Sequence, residues 1–519
     1  MKKRYGLWTA IMAFYIFALA GCSRMDTEMQ PESSATSEEE QSDQDGDSLV
    51  WLIDNKKLAQ RLQKPLNELL KEKGVSYTVS VIGEETDIES DGKYIDILKD
   101  RKAENEPTDV IYIPETKIIG DSYGDAVREG ILMPLKTQEG ENSVSETLGE
   151  FAMESMKVGW TLYGLKGLPV YYETGLAFNT YYLDKYQIST DSLSGDLFQN
   201  EELYRKISEM DEEVNTPLAY WALTEEEMGY GFLFPSCAVG FSSKGNGEIV
   251  NVFAQEEVRE YLNALKNLRD QDLISFLNMD GFQAVEEENG YFSITHYVTN
   301  PQAESVRIEG FVDKDGKQIV TDAVFIPDHK DEQGLSIMPR GQLTGIASWS
   351  QRPEQAYEFL KLLYTDADVA NLVKFGVEGE DYRVEDGRIA ELSNPEIYPS
   401  VNASYINDML TYPMEEEPDD KKENWDQYFA SRGLHPLTGF QFDPSKVEDE
   451  INATNALIKE SLTNLDSYTQ EFKQLMSVDV ADVGQALQSL NEKLQAAGIE
   501  NIIEEANRQI QKWKAAKEG

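Results

Sequence analysis

Hydrophobic patterning changes character at Ser48. Leu49-Val50-Trp51-Leu52-Ile53 is a continuous apolar run, which predicts a buried strand, and Leu58, Leu62, Leu66, Leu69 and Leu70 follow at helical spacing. Positions 75–81 alternate as a half-buried strand does, a helix is predicted around Tyr94, Ile97 and Leu98, and Val110-Ile111-Tyr112-Ile113 predicts a third buried strand. Strands and helices taking turns in this way imply an α/β architecture with a largely parallel sheet. Pro65 lacks a backbone N–H and predicts a kink or an early end to the first helix. Further on, Val258, Tyr261, Leu262, Leu265 and Leu268 predict one amphipathic helix, and Ala356, Phe359, Leu360 and Leu363 predict another behind Pro353. Strand-like runs over 307–325 flank Asp315-Gly316, a dipeptide suited to a tight hairpin. The chain ends in amphipathic helices carrying Val447, Ile451, Ile458, Leu462, Leu487, Leu490, Leu494, Ile502, Ile503, Ile510 and Trp513.

Ahead of Ser48 the pattern is different. Lys2, Lys3 and Arg4 precede an apolar stretch over 5–20, long enough for export but short for a stable span, so 1–21 is expected to be a signal peptide. It ends in Leu19-Ala20-Gly21-Cys22, which resembles the lipobox of bacterial lipoproteins. That resemblance implies a lipidated Cys22 and attachment to the outer face of the cytoplasmic membrane, with acyl chains contributing about 0.8 kcal/mol per buried methylene. Residues 23–47 are Ser-, Gln-, Asp- and Glu-rich, with no aromatic or β-branched apolar residue, and are expected to form a disordered acidic tether.

Composition narrows the function classes. The 519 residues carry 47 Lys+Arg against 95 Asp+Glu, a formal charge of −48, which opposes polyanions and argues against nucleic-acid binding. The 26 Tyr, 20 Phe and 7 Trp demand substantial cores and exclude a wholly disordered acidic protein. Cys22 and Cys237 are too few for a disulfide framework, and His296, His329 and His435 lie apart, so no metal site and no cofactor is expected. Asp313 and Asp315 fail as a calcium loop, since its first position would be Phe311 and its twelfth Asp322. The acidic stretch over 415–423 is expected to be an exposed loop. No Gly-x-Ser-x-Gly, His-Glu-x-x-His, phosphate-loop or dinucleotide motif occurs, so an enzyme is not expected; a glycosidase using acids such as Glu173 and Asp184 is a minor alternative.

The ordered set Ala126-x-x-Glu129-Gly130-x-Leu132-x-Pro134-Leu135, Tyr163-Gly164-Leu165-x-Gly167-Leu168-Pro169 and Gly175-Leu176-Ala177-Phe178-Asn179-x-Tyr181-Tyr182-Leu183 resembles the extracellular solute-binding proteins of ABC importers. Gly345-Ile346-Ala347, then Arg352-Pro353-Glu354-x-Ala356-Tyr357-x-Phe359-Leu360, is similar to that family's return crossing. Phe375-Gly376-x-Glu378-Gly379-x-Asp381-Tyr382 and the segment from Lys493 to Gln509 resemble one lipoprotein subfamily. The resemblance implies a two-lobed type II periplasmic-binding-protein fold with discontinuous lobes and a helical C-terminal region. Lobe 1 is then 48–168 plus 325–375, and lobe 2 is 169–324 plus 376–519. It further implies a monomeric receptor that captures an oligosaccharide or related polyol and delivers it to ABC permease subunits. A receptor for cationic peptides or other cationic solutes, and a ligand-sensing partner of a membrane kinase, are the alternatives.

Sugar rings present C–H faces ringed by hydroxyls, so their binders set flat aromatics beside acids and amides. Positions matching the family's ligand-contacting loops are Asp54, Asn55, Tyr112, Glu115, Tyr171, Tyr172 and Glu173. Further candidates are Trp221, Tyr230, Tyr291, Phe292, Trp349, Phe440 and Phe442. Large aromatics more often pack cores, and Trp51 and Trp513 are assigned to packing; His296 and Cys237 are expected to be structural. Of the adjacent Tyr171 and Tyr172, one ring is expected to face the cleft, because neighbouring strand residues point to opposite sides.

Overall fold

The computed structural model describes residues 48–84, 93–115, 121–136, 143–167, 173–210, 216–221, 228–234, 238–242, 245–277, 291–298, 305–312, 318–328, 341–393, 404–414, 417, 419–430, 434–460 and 468–518. The signal segment, Cys22, the tether, Tyr171, Tyr172 and Cys237 lie outside the described residues. Glu173, Trp221 and His296 are described by their backbone alone.

Two hydrophobic cores organise the chain. The first surrounds a five-stranded sheet in the order Thr78–Gly83, Ser48–Ile53, Val110–Ile113, Leu343–Ile346, Gly164–Leu165. The first three strands pair in parallel, and Leu343–Ile346 enters antiparallel to Val110–Ile113. Leu49, Leu52, Ile53, Val110, Ile111 and Ile113 are almost wholly buried, which explains why these strands read as apolar runs: helices cover both faces. The helix Lys56–Glu72 is capped by the Asn55 side chain, which accepts from the Leu58 N–H at 2.9 Å, and it buries Leu58, Ala59, Leu62, Leu66 and Leu70. Pro65 does not end this helix. An interior proline costs about 3 kcal/mol, but Leu66 and Leu70 beyond it are fully buried, and burying such side chains contributes about 1.5–3 kcal/mol each.

The second core surrounds a six-stranded sheet in the order Ile274–Leu277, Leu218–Trp221, Ser293–Val298, Glu173–Asn179, Gln318–Pro327, Ser305–Val312. The hairpin expected around Asp315-Gly316 is present as the antiparallel pair Ser305–Val312 and Gln318–Pro327. Helices Glu448–Asn455, Gln470–Met476, Val483–Ala496 and Ile499–Glu518 pack on this core through Ile451, Phe472, Leu475, Leu487, Leu494, Ile502 and Ile510.

Two boundaries differ from the sequence expectation. Gln318–Pro327 pairs with Glu173–Asn179 as far as Pro327 and so belongs to the second sheet beyond residue 324, because leaving it earlier would orphan ladder hydrogen bonds. Tyr405, Ile406 and Trp425 pack in the first core, although 376–519 was expected in the second lobe. Their segment is held there by ions. Asp408 is fully buried and pairs with Lys374 at 2.5 Å and Lys421 at 3.5 Å, and Lys421 also reaches Glu417 at 3.3 Å. The acidic stretch is therefore not wholly loop: helix Lys421–Ala430 starts within it.

Candidate functional site

The parallel strands Ser48–Ile53, Thr78–Gly83 and Val110–Ile113 all end at one edge of the first sheet, and Gly164–Leu165 runs toward that edge as well. Asp54, Asn55, Glu115 and Lys166 follow these strand ends. Leu343 pairs with Ile113, so the returning chain enters the sheet at the same edge. Gly341 fits there because a Cβ would lie 2.3 Å from the Pro114 carbonyl oxygen. In the second sheet, Glu173 pairs with Val298, Trp221 with Leu277, and Pro327 with Gly175, all at one edge. The described chain leaves the first edge at Lys166 and Gly167 and enters the second sheet at Glu173; it leaves the second sheet at Asp328 and is next described at Gly341, at the first edge. Asp328 ties the crossings together, its N–H donating to the Thr174 carbonyl at 3.0 Å while the Thr174 hydroxyl donates to its carboxylate at 3.1 Å. Strand carboxyl ends joined by such crossings are where α/β folds receive ligands.

Side chains at the first edge form a polar ladder backed by aromatics. The Tyr405 hydroxyl donates to Asp54 Oδ1. The Tyr405 ring meets Tyr112 edge-on, with centroids 4.4 Å apart, and Trp51 at 6.2 Å. The Tyr112 hydroxyl and Ser404 Oγ are 2.8 Å apart. Burial pushes the Asp54 carboxyl above its ordinary value, with the Tyr405 hydrogen bond pulling the other way. Burial also raises Tyr112 and Tyr405, and the Asp54 carboxylate adds to both. The Lys166 ammonium is lowered by desolvation, opposed by Glu115. Tyr94 is buried within the electrostatic reach of Asp54, and its hydroxyl has no hydrogen-bond partner among the described atoms. Tyr112, Ser404 and Tyr405 are themselves buried, at 2%, 5% and 2% exposure, so the ladder lies beneath the first edge and braces it, leaving Asp54 and the exposed Glu115 nearest the surface.

Of the positions matched to the family's ligand-contacting loops, Asp54, Asn55 and Glu115 follow strands at the first edge and Glu173 begins a strand at the second, whereas Tyr112, expected after the third strand, lies within it and is buried in the first core; Trp221 ends its strand at the second edge. Asn55 spends its side-chain oxygen on the helix cap. Glu115 is exposed. The other candidates lie elsewhere. Tyr291 and Phe292 immediately precede the strand Ser293–Val298 at the far end of the second sheet, where Phe292 is 0% exposed and packs on Phe178 and Tyr204. Tyr230 is buried in the second core with its hydroxyl 3.4 Å from Glu257. Trp349 donates from Nε1 to the Glu106 carbonyl at 2.9 Å, at the N-terminal side of Val110–Ile113 and so away from the strand ends. Phe440 packs edge-on against Trp513, and Phe442 stacks on Phe234. Large rings fill cores before they line clefts. Tyr405, Ser404, Lys166 and Tyr94 were missed; Ser404 and Tyr405 lie in a stretch with neither strand nor helix periodicity. Among the described residues no cluster of His, Cys, Asp and Glu is arranged to hold a metal.

Comparison with known proteins gives three results. A domain of unknown function (DUF3502) matches residues 436–515, the helical segment on the second core. A carbohydrate ABC transporter substrate-binding protein of Streptococcus pneumoniae serotype 4 (strain ATCC BAA-334 / TIGR4) is 23% identical over 188 residues, 34% of this chain and 36% of that protein. The chain thus spans about a third of the length of the curated relative it matches. Among solved structures, the N-glycan transport solute binding protein of Streptococcus pneumoniae superposes with a TM-score of 0.63 at 18% identity, covering 91% of this chain and 99% of that one. The same protein in complex with Man5GlcNAc gives 0.52 at 18% identity, over 91% and 98%. The extracellular solute-binding protein family 1 from Alicyclobacillus acidocaldarius gives 0.51 at 13% identity, over 88% and 98%. The fold is that of the solute-binding proteins. This chain is a two-core α/β variant of it with a helical C-terminal region.

Proposed function

We propose that this chain is a non-enzymatic solute-binding protein that captures an oligosaccharide or related polyol between its two lobes and delivers it to an ABC transporter permease. The observation that carries this is the pair of strand edges between which the chain passes twice, the first bearing Asp54 and Glu115 and braced from beneath by Tyr405, Tyr112 and Ser404. Glu173 and Trp221 at the second edge, with Tyr171 and Tyr172 in the crossing, complete the contact set. The names of the substrate-binding relative and of the N-glycan transport protein support a carbohydrate ligand. A solute touching both edges stabilises the closed form by its differential affinity for it, and the closed form presents both lobes to the permease. Energy for import then comes from the partner ATPase. The protein acts as a monomer, exported and held at the membrane by a lipid on Cys22. Replacing Cys22 with Ser releases it from the membrane fraction; retention there refutes the anchor.

Thermal unfolding of the chain from Ser48 onward, against neutral oligosaccharides, basic peptides and metal ions, tests the ligand class. A ligand at about 100 times its Kd adds about 2.7 kcal/mol. A saturable shift with an oligosaccharide that stays intact on incubation is the expected result. Shifts confined to peptides or metal ions refute the carbohydrate assignment, and release of shorter sugars refutes the non-enzymatic one.

A further inference from the structure

The segment that leads into the C-terminal helices touches both bodies. Leu437 and Phe440 pack in the second core, and Trp513 packs against it from the last helix. Yet the Gly439 carbonyl accepts a hydrogen bond from the Gly159 N–H at 2.7 Å, and Gly159 lies in a hairpin whose Leu162 is in the first core. Arg128, ending the helix Tyr123–Arg128 of the first body, donates from Nη1 to the Phe442 carbonyl at 3.2 Å and lies 3.9 Å from the Asp443 carboxylate. The Trp160 ring, at the hairpin tip and 49% exposed, lies nearly parallel to Trp513 with centroids 6.5 Å apart. Gly439 has a φ of +87°, and a Cβ there would lie 2.7 Å from the Gly159 carbonyl oxygen, so this close backbone approach requires glycine.

The position of this contact gives it leverage. Residues 164–165 run toward the solute-facing edge, so the hairpin tip at Gly159 and Trp160, several residues upstream, stands back from that edge. Bringing the two strand edges together about the crossings draws the sides behind them apart. We propose that the contact of Gly159, Trp160 and Arg128 with residues 439–443 and Trp513 is a latch, made in the open form and broken on closure, that sets the resting balance between open and closed lobes. This rests on the lobe-closing reading of the protein, but not on the identity of its solute. A latch of this kind reduces apparent affinity by the fraction of protein it holds open.

The test needs no ligand. The full chain carrying Cys22→Ser and Cys237→Ser is spin-labelled through cysteines placed at Lys56 and Ser305, one toward each strand edge, and the distance distribution is measured by pulsed EPR. The expected result is that Trp160→Ala and Arg128→Gln each raise the ratio of short to long distances roughly three- to tenfold, while Trp160→Phe leaves it near the parent value. Far-ultraviolet circular dichroism reports whether each variant is folded, and the exposed Trp160 makes its replacement the safer of the two. Distributions that are unchanged or lengthened in folded Trp160→Ala and Arg128→Gln overturn the latch, as does a single distance shared by the parent and every variant. Failure of the carbohydrate assignment appears separately, as the absence of sugar-dependent thermal shifts.

Discussion

Asp408 is the most exacting point in the first body. Its side chain is 1% exposed and faces two ammonium groups, Lys374 at 2.5 Å and Lys421 at 3.5 Å, each about 95% buried, while the Thr411 hydroxyl donates to it at 3.1 Å. Burial pushes this carboxyl up, but the two ammoniums and the hydrogen bonds outweigh burial and hold it below the ordinary carboxylate range. Lys421 is lowered by desolvation and by its neighbour Lys374. Replacing Asp408 with Ala leaves two buried cations with Glu417 as the carboxylate near both, 3.9 Å from Lys374 and 3.3 Å from Lys421, and breaking a buried ion cluster in this way costs about 3–5 kcal/mol. For a body of this size each kcal/mol corresponds to about 2–4 °C, so the first unfolding transition should fall by roughly 6–20 °C in differential scanning calorimetry. A triple replacement, Lys374→Met with Asp408→Leu and Lys421→Met, should recover most of that loss, because the desolvation penalty disappears with the charges. The sign with pH follows from the depressed carboxyl. The unfolded chain binds more protons between the folded value and about 3.9, so the contribution is present above that window and is lost as pH falls through the folded value. A shift of under about 2 °C for Asp408→Ala, set against the 6–20 °C expected, or an acid limb identical to the parent's, would refute the cluster as the clamp on residues 404–421.

Asp54→Asn should stabilise the ligand-free protein at neutral pH, since a carboxyl raised by burial loses stability as pH rises from its unfolded value through its folded one; equal or lower melting temperature at pH 7 contradicts this. Tyr405→Phe strips Asp54 of its hydroxyl donor and should cost about 1–3 kcal/mol, with the loss greater at pH 7 than at pH 4 in paired denaturant titrations. Phe292→Ala should cost about 3–5 kcal/mol and leave the affinity of folded protein for its solute unchanged by isothermal titration calorimetry, whereas Trp221→Ala should weaken affinity at least tenfold with little change in melting; the reverse pattern would move the site. Pro65→Ala restores a helix N–H and removes a ring clash, so the melting temperature should rise; a fall would mean that the helix depends on proline's restriction of the unfolded chain.

What the sequence by itself determined is local. The apolar strands at Ser48–Ile53 and Val110–Ile113, the proline-started helix Pro353–Thr365, the antiparallel pair Ser305–Val312 and Gln318–Pro327 and the C-terminal helices all follow from periodicity and breakers over a dozen residues or fewer. Asp54 and Glu115 were picked out by resemblance to the family's ligand-contacting loops, and both directly follow strands, the ends at which α/β topology receives ligands. Pro65 marks the limit of local rules, since the burial of Leu66 and Leu70 that overrides it comes from the sheet beneath. Tertiary structure alone decided where along their strands the aromatic candidates fall. Phe292 and Trp221 are alike in sequence pattern, but the fold puts one just before its strand, in the core, and the other at a strand's end on the edge. It also decided that Tyr405 meets Asp54 across 351 positions of chain and that Tyr405, Ile406 and Trp425 join the first core. Such contacts depend on which distant segments lie side by side, and no local spacing encodes that; buried charges and paired strands settle it only once the whole chain is packed.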